Sequence, residues 1–276
     1  MATHAPKMPQ KLQQNYAIPS ISHVSAARPL HWLKDGWQDF LAHPGPSMMY
    51  GFIVAAVSWM ILTLAAPKPY LVSSAISGFL LVAPLLAAGI YELTREREAG
   101  TKVSFMESVR GLKRNAGTIA DYSVVLVIMA IVWERAGAII FALSYGGEMH
   151  SIEGFVREIF LSGDYIGVAV GWLAGGLALA GFVFSLTVVG MPMVIDRNID
   201  VVTAMGASLK TVKTNMPAMF VWALVIVGLS AVGLVGALAL LLTTKIASPL
   251  LVCAPLAITM PLLGHATWAA YKDLVH

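Results

Sequence analysis

Long apolar runs separated by short polar stretches dominate the chain. Six of these runs are long enough to cross a bilayer, which takes about 20 apolar residues in a helix. The runs are continuous and do not alternate between apolar and polar positions, so they predict helices and not the strands of a barrel. The predicted spans are 48–66, 70–93, 119–145, 166–193, 217–242 and 248–270.

Three shorter stretches show a different pattern, in which apolar residues recur every three or four positions between polar ones. They precede the first, third and fifth spans, beginning near residues 30, 103 and 202. This spacing is typical of an amphipathic helix that lies in the membrane interface. In the stretch 30–43, Trp32 and Trp37 suit headgroup depth, and Pro44 and Pro46 end the predicted helix.

The last two of these stretches share a motif at a spacing of 100 residues. SVRGLKRN at 108–115 resembles SLKTVKTN at 208–215. The match suggests three units, each an interfacial helix followed by a membrane hairpin, at 30–93, 103–193 and 202–271. Internal repeats are common in membrane folds, although independent convergence on basic amphipathic loops is the alternative.

The predicted fold is therefore an all-α membrane protein with six transmembrane helices. We expect a single transmembrane domain at 28–273, built from one hairpin after another or from three repeats. Residues 1–27 are polar and contain Pro6, Pro9 and Pro19, so they predict a disordered tail.

Composition and charge narrow the class further. The chain is 58% hydrophobic and only 12% charged, whereas about 25% of the residues of a soluble domain are charged. With the N-terminus inside, fourteen of the 18 Lys and Arg residues fall in inner segments and three in outer ones. This bias predicts that both termini are cytoplasmic. The net charge of +3 is modest and gives no reason to expect a nucleic-acid partner.

The third span contains the sharpest chemical feature, the adjacent residues Glu134 and Arg135. A charge at mid-membrane depth costs roughly 2.5–3.5 kcal/mol on insertion scales and needs a partner, water or protein cover. Neighbouring residues point about 100° apart on a helix. We therefore expect the two side chains to find separate partners, and spans two, four and six to shield them. A relay, a contact with a partner subunit and a structural clasp all fit the pattern.

His265 is the one histidine inside a predicted span. A lone intramembrane histidine can ligate a metal or carry protons, but haem and copper sites need further ligands or a cavity. We expect instead a hydrogen bond to a neighbouring helix, with Glu92 and Asp121 as the candidate acids. The single cysteine, Cys253, excludes a disulfide within the chain and a CxxC redox pair. No cofactor or metal is therefore predicted.

The fourth span carries glycines at a spacing of four, Gly167, Gly171 and Gly175. Small residues at this spacing let helix backbones approach closely. The partner helix can belong to the same chain or to another one.

Several stretches together resemble a bacterial family of predicted integral membrane proteins, domain of unknown function 2189. They are PLHWL (29–33), GWQDF (36–40), YG (50–51), GFLLVAPL (78–85), YEL (91–93), PLLGHATW (261–268) and YKD (271–273). Some members are labelled as cytochrome c oxidase components. The resemblance implies a multi-pass membrane protein and supplies no catalytic residues.

Two functions follow as hypotheses. The first is a non-catalytic accessory or assembly subunit of a membrane complex, such as a respiratory oxidase, which agrees with the absence of GxSxG, HExxH and Walker motifs. Its partners are the lipid bilayer and either another membrane complex or a second copy. The second is a transporter or channel for a small molecule, ion or lipid that uses Glu134 and Arg135.

Overall fold

The computed structural model describes residues 19–65, 69–144, 157, 159, 162–243 and 254–276. Within these ranges the chain forms ten α-helices, and a 3-10 turn at Lys113–Asn115 joins the fourth to the fifth. The all-α class predicted from the apolar runs is confirmed. The helices are α1 Pro29–Ala42, α2 Pro44–Ala65, α3 Pro69–Glu98, α4 Phe105–Leu112, α5 Ala116–Ser144, α6 Ile166–Thr187, α7 Gly190–Arg197, α8 Val201–Thr214, α9 Met216–Thr243 and α10 Ala254–Leu274.

Three helical runs of the described chain are long and apolar enough to cross a membrane. They are Phe105–Ile140, Ile166–Arg197 and Met216–Gly233. The bent pair Pro29–Ala42 and Pro44–Met60 makes a fourth if it is counted as one span. Much of the predicted second and sixth spans lies outside the residues on which this count rests, so the number six stays a prediction.

The first amphipathic stretch forms α1, as its spacing predicts. Its axis meets that of α2 at 105°, because Pro44 and Pro46 interrupt the helical hydrogen bonding at the joint. One face of α1 buries Trp32, Gly36 and Phe40. The second and third amphipathic stretches form α4 and α8, so each of the three short helices leads directly into a long one.

The predicted fourth span, 166–193, falls within the span-length run Ile166–Arg197, but that run is divided into two helices. α6 ends at Thr187, and a separate helix, α7, begins at Gly190. Pro192 has no backbone N–H with which to continue the helical ladder. The backbone N–H of Val189 at the break instead donates to the Ser208 hydroxyl at 3.2 Å. This buried donor therefore keeps a hydrogen-bond partner although the helix is interrupted.

The short helices pack in a cyclic order. α1 lies against α10, α4 against α3, and α8 against α6 and α7. Each short helix therefore contacts the helix that closes the preceding hairpin, and α1 contacts the one that closes the last. The closing helices α3, α7 and α10 also contact one another, so they form the centre of the bundle.

The bundle core is concentrated where these closing helices meet the short ones. Five aromatic side chains are at most 1% exposed there: Trp32, Tyr122, Trp222, Trp268 and Tyr271. The rings of Trp32 and Trp222 pack edge to face with centroids 5.8 Å apart. Basic residues of α3, α4 and α8 lie at this end of the helices, which we call the basic end: Arg95, Arg97, Arg110, Lys210 and Lys213.

Residues 19–27 do not belong to a disordered tail, contrary to the prediction for 1–27. Ile21 forms an antiparallel bridge with Val275, and the Ser22 N–H donates to the Leu274 carbonyl at 2.9 Å. Val24 donates its N–H to Asn215 Oδ1 at 2.9 Å. Sequence patterns missed this pairing because it joins segments about 250 residues apart. Residues 1–18 lie outside the described residues.

Candidate functional site

Glu134 and Arg135 lie on α5 and bind each other. Arg135 Nε is 2.8 Å from Glu134 Oε2, so the prediction of separate partners is wrong. Long side chains can bend toward each other even when their Cβ atoms diverge along the helix. The Arg135 side chain is 72% exposed and that of Glu134 is 27% exposed. Among the described residues, spans two, four and six therefore do not shield Arg135.

The surroundings of this pair are apolar. Exposed Ile131 and Val132 precede it, and exposed Ile139 and Leu143 follow it on the same helix. An ion pair at such a position is still costly, because its outward side has lipid in place of water. The pair thus lies on the outer surface of the bundle and does not line an interior path between the described helices.

His265 lies in the opposite environment, fully inside the bundle. It is 2% exposed, and its two ring nitrogens contact hydroxyls from two other helices. Ser47 Oγ of α2 lies 2.9 Å from Nε2, and Thr94 Oγ1 of α3 lies 2.6 Å from Nδ1. The expectation of a hydrogen bond between helices holds, but the predicted acidic partners, Glu92 and Asp121, are wrong.

Counting protons gives the direction of each bond in this cluster. The Thr94 hydroxyl donates its only proton to the Ile90 carbonyl at 3.1 Å, so it accepts from His265 Nδ1–H. The Ser47 hydroxyl then donates to the unprotonated Nε2. This neutral tautomer uses both ring nitrogens and ties α2, α3 and α10 together. No group of three or more His, Cys, Asp or Glu in the described ranges is placed to hold a metal ion.

Glu92 anchors a second cluster at the basic end of α3. Its carboxylate is 1% exposed and accepts two hydrogen bonds from Arg95, at 2.7 and 2.8 Å. Arg114 Nη2 adds a third contact at 2.5 Å. Gly111 of α4 packs directly on this carboxylate, at a place where a β-carbon would collide with it. Glu92 is therefore a paired structural charge that holds α4 against α3.

Glu96, one turn further along α3, is less well satisfied. It is 6% exposed, and its Oε2 atom has no hydrogen-bond partner in the described chain. Burial, and then the negative charge of Glu92, raise the pKa of Glu96 above its ordinary value. The backbone N–H of Ser104 offsets part of this effect by donating to the carboxylate. The protonated form of Glu96 is therefore favoured in the folded chain relative to a carboxyl group in water.

The remaining predicted residues lie at the surface. Asp121 is exposed near the start of α5. Gly167 and Gly171 of α6 have no atom near the position of an added β-carbon, whereas Gly175 contacts the ring of Trp133 on α5. Within the chain, close approach at this spacing therefore involves Gly175 alone, and the other two glycines present an open face.

Sequence reasoning missed several polar residues that hold the bundle together. Ser47 and Thr94 were overlooked because hydroxyls in apolar helices commonly bond their own helix. Asn215 donates to the Ser22 carbonyl at 2.9 Å, and Asn115 donates to the Ile195 carbonyl at 3.3 Å. The shared motif at 108–115 and 208–215 already contained both asparagines, so it was the signal that could have identified them.

Comparison with known proteins bears on the class of this molecule. A family model described as predicted integral membrane protein (DUF2189) matches residues 71–196. The resemblance to DUF2189 is confirmed over this stretch. No curated protein and no solved structure matches the chain.

The DUF2189 match runs from the first turn of α3 to the last turn of α7. It includes Glu92, Thr94, Glu134 and Arg135, but the quoted stretches at 29–40 and 261–273 lie outside it. Together with three helical runs of span-like length and hydropathy, the match identifies an integral membrane protein. The family description names no activity.

Proposed function

We propose that this chain is a non-catalytic accessory or assembly subunit of a larger membrane complex. The observation that carries the proposal is an open face of small residues on α6. Its members recur at spacings of four and three and are all exposed: Gly167, Gly171, Ala174, Ala178 and Gly181. Small residues let the backbone of another transmembrane helix approach closely and gain packing and weak hydrogen bonds.

The position of the charged pair favours docking over transport. A transport role for Glu134 and Arg135 needs them to line a hydrated path through the bundle. Arg135 instead faces outward from the described helices, with its side chain 72% exposed. The transporter or channel alternative therefore has less support from this pair.

A respiratory oxidase is the complex that the family labels suggest, and it gives the proposal a spectroscopic test. In such a complex the haem belongs to the partner. Both ring nitrogens of His265 are held by hydroxyls, so this buried histidine is not free to act as an axial ligand unless the cluster opens. We expect this chain to contribute helix contacts only.

The proposed setting is a bacterial inner membrane, with six spans and both termini in the cytoplasm. The basic end of the bundle supports this orientation, since Lys and Arg are enriched in cytoplasmic segments. The cyclic packing of α1, α4 and α8 supports three units of interfacial helix and hairpin. Reporter fusions after residues 100, 198 and 276 should be active in the cytoplasm, and an active periplasmic reporter at any of them overturns the orientation.

Purification from native membranes in a mild detergent tests the accessory role. We expect the tagged chain to elute in a complex larger than its own oligomer, with haem absorbance. Gly171→Leu should abolish this complex, because the new side chain occupies the open face of α6, where no described atom lies within 4 Å of an added β-carbon.

Gly228→Leu on α9 is the matched control, since Gly228 is also exposed and has no neighbour near its β-carbon position. It should leave the complex intact. A wild-type chain that elutes alone and without haem absorbance rejects the oxidase role. Equal loss of the complex in both variants rejects the α6 face as the docking site.

A further inference from the structure

Of the three span-length runs in the described residues, the one that contains α5 is covered least by the rest of the chain. Only 6% of the most apolar window in the run containing α5 is buried, compared with 61% for the run of α6 and α7 and 22% for α9. The buried side of α5 carries Tyr122 and Leu126, both 0% exposed, and Trp133, which packs on the core. The opposite side faces away from the bundle.

A regular seam runs along this outward side. Its residues are all exposed and follow alternating spacings of four and three, the pattern of the a and d positions in a coiled coil. Three β-branched residues occupy one half and two alanines the other, with Arg135 between them: Val124, Ile128, Ile131, Arg135, Ala138 and Ala142. Arg135 occupies an a position, where a single polar residue sets register and partner number.

The apolar surface of α5 continues beyond the charge in this seam. Ile139 and Leu143 beyond it are 59% and 84% exposed, so the apolar surface continues for two further turns, or about 12 Å at 1.5 Å per residue. The contact with Glu134 is made by Nε–H, and the Arg135 side chain is 72% exposed. Because a guanidinium carries five N–H donors, a group that covers this side chain must supply further acceptors.

We propose that a second copy of this chain covers the seam, so that the two α5 helices pack in parallel about a two-fold axis along the membrane normal. Both copies insert in the same orientation, so identical residues meet at identical depth. In knobs-into-holes packing an a residue contacts the residue just before the facing a position. Arg135 of one copy therefore reaches Glu134 of the other, and the reverse contact forms by symmetry.

In this arrangement both charged side chains gain partners from the second copy. Each guanidinium gains a second carboxylate, each carboxylate gains a second guanidinium, and lipid is excluded from all four groups. Val124, Ile128 and Ile131 pack against their counterparts on the inner side, and Ala138 and Ala142 allow close approach on the outer side. The inference concerns α5 and is independent of the partner face proposed on α6.

Disulfide crosslinking in native membranes tests the contact. In a Cys253→Ser background, Ile131→Cys and Ala138→Cys should each form a covalent dimer of this chain when copper phenanthroline is added as oxidant. Val232→Cys is the control, because Val232 is exposed on α9 and lies only one residue further from its helix start than Ile131 does from that of α5. Crosslinking of Ile131→Cys that is no stronger than that of Val232→Cys overturns the proposal.

Mixing complementary variants tests the reciprocal charge contact. Glu134→Gln and Arg135→Gln copies with different tags should each self-associate about tenfold more weakly than wild type. When they are coexpressed, mixed dimers should predominate, because only the mixed pair retains an Arg135–Glu134 contact between copies. Membrane yield of each variant checks that it inserts.

The alternatives give different results in the same experiments. If Arg135 reaches the lipid headgroups, the seam cysteines stay monomeric and the two Gln variants mix at random. If a different protein covers the seam, the cysteines crosslink to a species of another mass and the mixed dimer is not favoured. Either outcome rejects the second copy, and the accessory role proposed from α6 survives both.

Discussion

Replacing Gly36 by alanine should loosen the joint between α1 and α10. An added β-carbon would lie 2.6 Å from the Cα and 2.7 Å from the Cβ of Ala266, whereas ordinary contacts begin near 3.4 Å. The obstacle is helix backbone, which cannot rotate aside. The two helices must therefore separate by roughly 1 Å, and packing around Trp32 and Phe40 on the same face of α1 loosens with them.

The expected cost comes from two opposing effects. Alanine is a better helix former than glycine and stabilises a helix interior by about 0.5–1 kcal/mol. Overpacking a well-filled interface costs roughly 1–3 kcal/mol. We expect the second effect to dominate, with a net loss of about 1–2 kcal/mol. At about 2–4 °C per kcal/mol for a chain of this size, Tm should fall by several degrees.

Gly206→Ala is the matched control for this change. Gly206 lies inside α8, which has 14 residues like α1, and nothing lies within 4 Å of its β-carbon position. The helix-propensity gain acts there alone, so Tm should rise by a few degrees. Thermal unfolding in detergent, followed by tryptophan fluorescence, measures both variants. If Gly36→Ala raises Tm as much as Gly206→Ala does, the close approach of α1 to α10 is refuted.

Three further predictions concern the polar clusters. His265→Ala should lower the free energy of unfolding by about 2–5 kcal/mol, since it opens a cavity and leaves the buried hydroxyls of Ser47 and Thr94 without their partner. The control, His31→Ala at an exposed position, should change the free energy of unfolding by less than about 0.5 kcal/mol. Thermal unfolding compares the two variants. Because the pKa of Glu96 is raised, its contribution to stability is complete below the ordinary value of 4.5 and is lost as pH rises through the folded-state pKa. Glu96→Gln should remove this step from a plot of Tm against pH. An unchanged plot contradicts the burial of Glu96. Burial tends to raise the pKa of Asp273, but hydrogen bonds from Arg28 and Trp32 outweigh this effect and hold the pKa below the ordinary value of 3.8. The stability that Asp273 contributes is therefore present at neutral pH and lost in acid. Asp273→Asn should lower the free energy of unfolding by about 1 kcal/mol at pH 7 and abolish this loss of stability in acid.

The helices themselves were largely predictable because their signals are local. Apolar run length predicted where α2, α5 and α9 lie, and the three-and-four spacing predicted α1, α4 and α8. The break between α6 and α7 was not predicted, since the apolar run continues through it. It depends on Pro192 together with a hydroxyl from Ser208, which becomes a neighbour only in the folded chain.

The candidate site was less predictable, because exposure depends on which face of a helix finds a partner. The low frequency of charges in apolar runs singled out Glu134 and Arg135 as candidates, but no local pattern indicated that Arg135 faces outward. Thr94 shows a related limit. Its hydroxyl bonds its own helix, as expected of an isolated threonine, and also reaches His265 across 171 residues of sequence.

The motif that recurs at a spacing of 100 residues includes the buried polar residues but not the charged pair. Ser108 and Ser208 are both fully buried, Asn115 and Asn215 are at most 5% exposed, and both asparagines bind distant backbone carbonyls. At the same spacing of 100 residues, the counterparts of Glu134 and Arg135 in the sequence are Leu234 and Val235. A span in the equivalent position of the bundle thus forms without any charge there. The repeated arrangement of helices accounts for the buried serines and asparagines, but it does not require a glutamate and an arginine on the outward side of α5. The proposed contact with a second α5, which α9 does not share, would offset this cost in the bilayer, because it places the opposite charges at the same depth.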